Sequence, residues 1–227
     1  MPITLFNETS PPATVSNQVC QMVATYLTDL SMLAVPASNL LFEVYEWALP
    51  CEVYVYLQWI GQPENPPVEL LVAFDDEEPF EVVGFLMYLP MPTHPEACGI
   101  TYMAVRKSHR GRGIGKAMIE QALSRYPHAE LTCPVSKVGF YERLGFQVLR
   151  ARNTQVVMNT REFSSEGMMG VVDAAQIYQS AEVRNIQNQQ LQRWGRKEMV
   201  NAEKQLQRHI SQLERQAAAF VKERLGL

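Results

Sequence analysis

Several signatures of metalloproteins and disulfide-rich proteins are missing from this chain of 227 residues. Its four cysteines, Cys20, Cys51, Cys98 and Cys133, are widely spaced and form no CxxC pair. Its four histidines show no HExxH or similar ligand spacing. The pattern gives no support to a zinc site or a disulfide framework, so we expect reduced thiols and no bound metal.

Long apolar runs are also missing. No stretch approaches the roughly 20 apolar residues of a membrane-spanning helix, and the N-terminal residues MPITLFNETSPP lack a basic segment followed by an apolar one. We therefore expect a cytoplasmic protein with no membrane partner. The formal net charge of −4 shows no excess of basic residues, so no nucleic-acid partner is predicted.

Proline is missing from the C-terminal part of the chain. After the segment SSEG at residues 164–167 there is no proline and glutamine becomes frequent, whereas the earlier residues are rich in aliphatic and aromatic side chains. The change in composition predicts three parts. These are a folded domain over residues 1–161, a linker over 162–170 and an α-helical, glutamine-rich extension over 171–227.

The hydrophobic pattern of the first part predicts strands and helices in mixed order. The predicted strands lie at residues 3–6, 68–74, 80–89, 99–106, 129–132, 146–151 and 155–159, and the predicted helices at 15–33, 39–49, 114–126 and 136–144. Residues 51–60, CEVYVYLQWI, fit a strand or a helix. No βαβ unit repeats, so we expect an α/β (α+β) domain with hairpins rather than a doubly wound sheet.

A glycine-rich loop, RKSHRGRGIGKAM at residues 106–118, lies between a predicted strand and a predicted helix. Two known phosphate-binding motifs do not fit it. A Walker A loop would need a glycine at Arg110 and a hydroxyl side chain at Ala117. A dinucleotide fingerprint starting at Gly111 would need a glycine at Lys116. Neither motif is therefore predicted.

The pattern that remains is R-x-x-G-x-G over residues 110–115. Glycines allow consecutive main-chain N–H groups to turn toward one anion, and a helix N-terminus adds further donors and partial positive charge. Arg110, Arg112 and Lys116 add positive charge, and His109 offers one more donor. The loop therefore fits a pyrophosphate, while a tight glycine turn with solvated arginines is the alternative.

A second motif, VGFYERLGF at residues 138–146, follows the glycine loop. With AVRKSHRGRGIGKAMIEQAL at residues 104–123, it resembles the GNAT superfamily of acetyl-CoA-dependent N-acyltransferases. The resemblance covers residues 68–160 well, residues 1–67 only by the order of elements, and the tail not at all. It implies the GNAT fold, a mixed central sheet flanked by helices, over residues 1–161, with a long C-terminal α-helical tail added.

The resemblance also implies a cofactor, acetyl-CoA, and a set of site residues. In that family the main chain of the glycine loop binds the pyrophosphate of coenzyme A, and the preceding strand binds the pantetheine arm. The implied cofactor-binding residues are Arg110, Gly111, Arg112, Gly113, Ile114 and Gly115 for the pyrophosphate and Met103 and Val105 for the pantetheine. Tyr141 matches the tyrosine that commonly protonates the leaving thiolate, so it is the implied catalytic acid.

Two positions depart from the family pattern. Many members carry a glutamate, which accepts the proton of the amine, where this chain has Gly99. Glu96 and Tyr102 lie three residues to either side of it. Many members also carry an asparagine where this chain has Pro134. The general base is therefore not identified from the sequence.

The tail carries an apolar seam at 4-3-4-3 spacing. Its residues are Leu206, Ile210, Leu213, Ala217 and Phe220. Such a seam suits a partner helix in a coiled coil, which predicts a homo-oligomer or a larger assembly. The alternative is a helix that packs back on its own domain.

These observations predict an acetyltransferase that transfers an acetyl group from acetyl-CoA to a primary amine by direct attack. The acidic segment at residues 75–78 is compatible with a cationic acceptor. The alternative is a GNAT-like structural or assembly protein, for example a virion-associated bacteriophage component attached through its C-terminal helix. The missing glutamate favours that alternative, and the intact loop and Tyr141 favour the enzyme.

Overall fold

A seven-stranded mixed sheet runs through the chain, and helices cover both of its faces. The computed structural model describes residues 1–167 and 169–226. The strands are β1 (Ile3–Phe6), β2 (Glu69–Phe74), β3 (Val82–Met91), β4 (His94–Val105), β5 (His128–Cys133), β6 (Gln147–Arg152) and β7 (Gln155–Asn159). Their order in the sheet is β1-β2-β3-β4-β5-β7-β6. Neighbouring strands are antiparallel except β4 and β5, which are parallel.

The helices divide between the two faces of the sheet. They are α1 (Ala13–Thr25), α2 (Leu27–Leu30), α3 (Phe42–Trp59), α4 (Ile114–Arg125), α5 (Val138–Glu142), α6 (Ala174–Tyr178) and α7 (Ala181–Leu225). One core contains side chains of α1, α2 and α3, and the other contains side chains of α4, α5 and the end of α7. Because both faces are covered, β3 is buried along its whole length. The predicted mixed α/β fold is confirmed.

The ambiguous segment at residues 51–60 is helical. It joins the helix predicted at 39–49 to form α3, which passes through Pro50 without a break. The buried residues Val53, Tyr56 and Leu57 recur at helical spacing and pack in the core on the α1 side. The strand-like composition of EVYVYLQW yields here to burial of a helical face between α1 and the sheet.

The parallel pair β4 and β5 opens the sheet. β4 begins at His94, five residues earlier than predicted, because it forms a hairpin with β3. Its pairing with β5 covers only residues 97–100, although β4 continues to Val105. A register shift also leaves Thr101 without a partner on β3. Beyond Ile100 the two strands therefore diverge, and residues 101–105 have a free edge.

The C-terminal helix α7 packs on the rest of the chain. It lies against α3, β6 and β7 and is interrupted only at Gly195, which has a φ of 77°. Leu206 and Ala217 of the predicted seam are buried, and Ile210, Leu213 and Phe220 are half-buried. Ala217 and Phe220 contact the core on the α4 side. The seam expected to engage a partner helix is thus covered by the chain's own domain, which was the stated alternative.

Polar contacts with the loop before α3 also hold α7. The Asn39 side-chain amide donates to the Ala202 carbonyl at 2.9 Å, and the Gln190 amide donates to the Leu40 carbonyl at 2.7 Å.

Along residues 1–167 and 169–226 no helix is both long and apolar enough to span a membrane. In the same part of the chain, no three His, Cys, Asp or Glu side chains gather where they could hold a metal ion.

Candidate active site

A cavity of about 700 Å³ lies where β4 and β5 diverge. The end of β4, the glycine loop, β5, α5 and the segment after β7 line it. Of the predicted site residues, Met103, Val105, Arg110, Gly111, Gly113, Ile114, Gly115 and Tyr141 line this one cavity. Arg112 is exposed beside it. The fold thus brings the two sequence motifs to the same cavity.

The glycine loop presents free main-chain donors. Gly111 and Gly113 both have a φ of 81°, a conformation that glycine adopts at little cost. A Cβ atom at either position would have no other atom within 4 Å. Within the described residues, the N–H groups of residues 111–116 have no hydrogen-bond acceptor, and Gly113 is the N-cap of α4. Open space, free donors and the helix dipole together suit this loop to bind an anion.

The basic side chains around the loop differ in how firmly they are held. Arg110 donates through Nε to the Val105 carbonyl at 3.1 Å, and its guanidinium lies 4.9 Å from the ring centre of Tyr26. Arg112 and Lys116 are exposed. All three place positive charge near the free N–H groups. Such charge strengthens the attraction of an anion to the loop.

The side chain of His109 is already engaged. Its Nε2 lies 2.7 Å from Asp75 Oδ2, and its Nδ1 lies 2.9 Å from Ser108 Oγ. The ring therefore links the loop to the tip of the β2–β3 hairpin. Both ring nitrogens have protein partners, so His109 does not serve as the extra anion donor that the sequence suggested.

Tyr141 lines the cavity from α5. Its side chain is 9% exposed and packs edge-on against Phe140 and Phe146, with ring centres 5.0 Å and 5.8 Å apart. Burial raises the pKa of Tyr141, and the nearby Cys133 contributes in the same direction. The phenol is therefore protonated at neutral pH. A protonated phenol on a residue that lines a cavity is suited to donate a proton.

Cys133, the thiol nearest to Tyr141, is not suited to be a nucleophile. Burial raises its pKa to about 12, so the thiol form predominates at neutral pH.

Glu52 and Tyr56 of α3 also line the cavity, and the sequence did not point to them. Tyr102 of β4 donates through its hydroxyl to Glu52 Oε1 at 2.8 Å. Burial raises the pKa of Glu52, and the bond from Tyr102 partly offsets the rise. One signal was available, because Glu52 is the only charged residue between Trp47 and Leu57.

The segment after β7 forms another wall of the cavity. The N–H group of Val172 donates to the Tyr56 hydroxyl at 3.0 Å, and Met169 packs in the core on the α1 side. A Cβ atom built on Gly99 would collide with the thioether of Met169. The glycine at position 99 is therefore compatible with the packing of Met169, whose side chain occupies the space that a side chain at position 99 would need. Glu96 is exposed and does not line the cavity.

Comparisons with known proteins agree with this architecture. Residues 36–146 match the family model described as the acetyltransferase (GNAT) family. That range runs from the residues before α3 to the turn before β6, and it includes both sequence motifs. No curated protein sequence matches the chain significantly.

Solved structures share the fold. The PaiA N-acetyltransferase from Thermoplasma acidophilum in complex with coenzyme A has a TM-score of 0.53 and 15% identity, over 71% of this chain and 99% of its own. An acyl-CoA N-acyltransferase from Pseudomonas aeruginosa has a TM-score of 0.50 and 13% identity, over 71% of this chain and 100% of its own. A structure described as histone acetyltransferase HPA2 and related acetyltransferase, from Corynebacterium glutamicum, has a TM-score of 0.50 and 18% identity, over 74% and 100%. The chain therefore has the acyl-CoA N-acyltransferase (GNAT) fold, matches the GNAT acetyltransferase family over residues 36–146, and is extended by a long C-terminal helix.

Proposed function

We propose that this protein transfers an acetyl group from acetyl-CoA to a primary amine by direct attack. The observation that carries the proposal is the row of unpartnered N–H groups at residues 111–116, which line an open cavity at the start of α4. Acetyl-CoA, when bound, supplies an acetyl group activated as a thioester. Its diphosphate matches a loop built from free amides, a helix N-terminus and flanking cations.

The free edge of β4 fits the rest of the cofactor. Met103 pairs with Leu86 on the β3 side, but in the described part of the chain no strand pairs with residues 101–105 on the β5 side. An extended arm that carries amide groups pairs with such an edge as an additional strand would. In this proposal the main chain at Met103 and Val105 holds the pantetheine arm. Residues 111–115, with Arg110, hold the diphosphate.

Tyr141 has the properties of the general acid. Its raised pKa keeps the proton on Oη at neutral pH, and the residue lines the cavity. Within residues 1–167 and 169–226 the hydroxyl has no hydrogen-bond partner, so the fold assigns it no structural bond. In this proposal Tyr141 donates the proton that the departing sulfur needs.

The structural alternative, an assembly protein with a vestigial site, makes a different prediction for the cavity. A site that has lost its function has no reason to keep free donors and an open volume. The volume of about 700 Å³ and the free edge of β4 support the enzyme.

Calorimetry with acetyl-CoA tests the proposal. We expect wild type to bind with a micromolar dissociation constant and Gly113→Ala to bind at least about tenfold more weakly, a loss of about 1.4 kcal/mol, because the new Cβ projects into the anion site. Gly145→Ala is the matched control. Gly145 also has a positive φ, 89°, and open space around its Cβ position, but it lies outside the cavity lining.

Each outcome decides the question. Equal affinity in wild type and Gly113→Ala would reject the assigned site. Equal losses in both variants would mean that backbone strain, rather than the anion site, weakens binding. Tight binding without acetyl transfer to any amine in a panel assayed with labelled acetyl-CoA would favour the vestigial site.

A further inference from the structure

Glu52 is a half-buried carboxylate that no cation pairs with in the described residues. Its Oε1 accepts the hydroxyl of Tyr102, and in the described part of the chain it forms no salt bridge. Tyr56, on the next turn of α3, faces it as well, with its ring centre 6.4 Å from that of Tyr102. A carboxylate withdrawn from water is costly unless a positive group pairs with it. The arrangement therefore lacks the cation that would offset this cost.

In the described part of the chain, the side chains that interact with Glu52 include no cation. The titratable groups that the surrounding elements contribute are Tyr102 of β4, Tyr56 of α3, Tyr178 of α6, Asp29 of α2, Cys20 of α1, and Cys51 of α3 with Glu182 of α7 beside it. All of them are neutral or acidic. Basic residues also line the cavity, and of these Arg110 lies 3.7 Å from Asp29, whereas none forms a salt bridge with Glu52 in the described residues. Aromatic rings around a carboxylate make a favourable environment for an ammonium group, since the ring faces attract cations.

Glu52, Tyr56 and Tyr102 lie on the opposite side of the sheet from the helix that follows the glycine loop. Tyr102 belongs to the core on the α3 side, whereas Tyr141 and Ile114 belong to the core on the α4 side. Both groups nevertheless line the same cavity, because β4 and β5 diverge between them. An acceptor on the α3 side and a carrier on the α4 side would thus meet through the gap in the sheet.

The strand itself offers no acid at this point. Residue 99 is glycine, and the thioether of Met169 occupies the place where a Cβ atom there would lie. Tyr102, the next residue of β4 in the core on the α3 side, instead reaches a carboxylate supplied by α3. The acid on this side of the cavity comes from a helix rather than from β4.

We propose that Glu52 binds the ammonium group of the acceptor and takes its proton, with Tyr102 positioning the carboxylate. This inference rests on the proposed acetyl transfer. One N–H bond of the ammonium breaks, its electron pair stays on nitrogen, and the proton passes to Glu52 Oε2, the oxygen that Tyr102 does not occupy. The product is a neutral amine with the lone pair that direct attack requires. Proton acceptance matters because an amine of pKa about 10.4 is almost wholly protonated at pH 7.

Two acceptors separate proton transfer from other effects. Nα-acetyl-lysine methylamide carries a charged amine at pH 7, whereas hydroxylamine is largely uncharged there and does not have to be deprotonated before it attacks. We expect Glu52→Gln to lower kcat/KM for the lysine derivative by roughly 10²-fold and to leave transfer to hydroxylamine within about twofold of wild type. Glu46→Gln is the matched control, since Glu46 is exposed on the same helix and outside the cavity.

The dependence of kcat/KM on pH distinguishes the role of Glu52 from that of Tyr102. Glu52 must be ionised to accept a proton, so kcat/KM should fall on the acidic side as Glu52 becomes protonated. This fall should begin at a higher pH than for an ordinary carboxylate, because burial raises the pKa of Glu52. Tyr102→Phe should move the acidic limb to still higher pH, because the bond from Tyr102 lowers that pKa. Glu52→Gln should abolish the limb.

A readout without turnover tests the binding step directly. In protein labelled with ¹³C-glutamate, the Glu52 carboxyl resonance is assigned by its loss in Glu52→Gln. We expect its pKa to fall when the lysine derivative is added, because an ammonium group favours the ionised carboxylate. A pKa that the amine leaves unchanged would overturn the inference. So would equal activities of Glu52→Gln and Glu46→Gln in a protein that binds acetyl-CoA. Failure of wild type to bind acetyl-CoA would instead reject the proposed function.

Discussion

The Tyr141 side chain is enclosed by Phe140 and Phe146, and its hydroxyl has no partner in the described residues. Tyr141→Phe removes only that hydroxyl and leaves the ring packing intact. We expect kcat to fall by roughly 10²-fold, the usual scale for a lost general acid. Steady-state kinetics should show this fall, while calorimetry should show acetyl-CoA affinity within about twofold of wild type.

Tyr54→Phe is the control for this prediction, because Tyr54 is exposed on α3 and outside the cavity. Unchanged turnover in Tyr141→Phe would remove Tyr141 from the mechanism. A large loss of cofactor affinity would indicate a binding role instead.

A second residue-scale prediction concerns Glu69, which lies outside the site. Its carboxylate accepts from the hydroxyls of Tyr88 and Tyr126, each at 2.7 Å, and from Arg125 at 2.9 Å and 3.0 Å. It is 7% exposed, so its removal leaves three donors short of an acceptor in a poorly solvated place. We expect Glu69→Ala to lower the free energy of unfolding by about 3 kcal/mol, measured by urea denaturation.

Glu120→Ala provides the comparison for Glu69→Ala. Glu120 forms only an exposed pair with Lys116 at 3.6 Å, four residues earlier on α4. Its loss should cost no more than about 0.5 kcal/mol. Similar losses in the two variants would contradict a structural role for the Glu69 network.

At the scale of elements, α7 tests whether the C-terminal helix is part of the fold. Ala217 is fully buried in the core on the α4 side, whereas its neighbour Ala218 faces solvent. Ala217→Asp places an unpaired charge in that core, and we expect a loss of about 3 kcal/mol in the free energy of unfolding. Ala218→Asp makes the same chemical change at the surface. It should stay within about 0.5 kcal/mol of wild type.

Denaturation followed by circular dichroism measures both alanine variants. Equal stability of the two would mean that α7 does not pack on the sheet in solution. The same comparison separates a packed helix from a free partner helix, because only a packed helix distinguishes the two faces in the monomer.

The element scale also shows where local pattern and packing disagree. Residues 51–60 have the β-branched and aromatic composition of a strand, yet they form the second half of α3. The sheet has no free place for them between β1 and β4, while the face presented by Val53, Tyr56 and Leu57 fills the core on the α1 side. Local preference is worth less than this burial.

At the scale of the whole molecule, the C-terminal helix α7 contributes to the core of the domain that precedes it. Ala217 and Val221 belong to the same core as α4 and α5. A chain that ends at residue 163 would expose this surface, so we expect a lower melting temperature and increased binding of a hydrophobic dye. A truncated chain as stable as wild type would contradict this expectation.

Self-association through the C-terminal helix stays a prediction. The apolar seam that motivated it is covered by the chain's own domain. Light scattering of the full chain decides the matter. A mass of 25.8 kDa, that of a single chain, would contradict association.

The sequence by itself, through its two motifs and the family that they resemble, indicated the fold class and named the candidate anion loop and the candidate general acid. Such features are local or nearly so: glycines in a left-handed conformation before a helix need only the adjacent strand and helix for their geometry. The tertiary structure alone decided the other side of the cavity. Glu52 and Tyr102 meet across 50 residues of sequence, and Tyr56 and Val172 across 116. Contacts of that kind depend on how helices pack on a sheet, and no periodicity or motif in one chain encodes them.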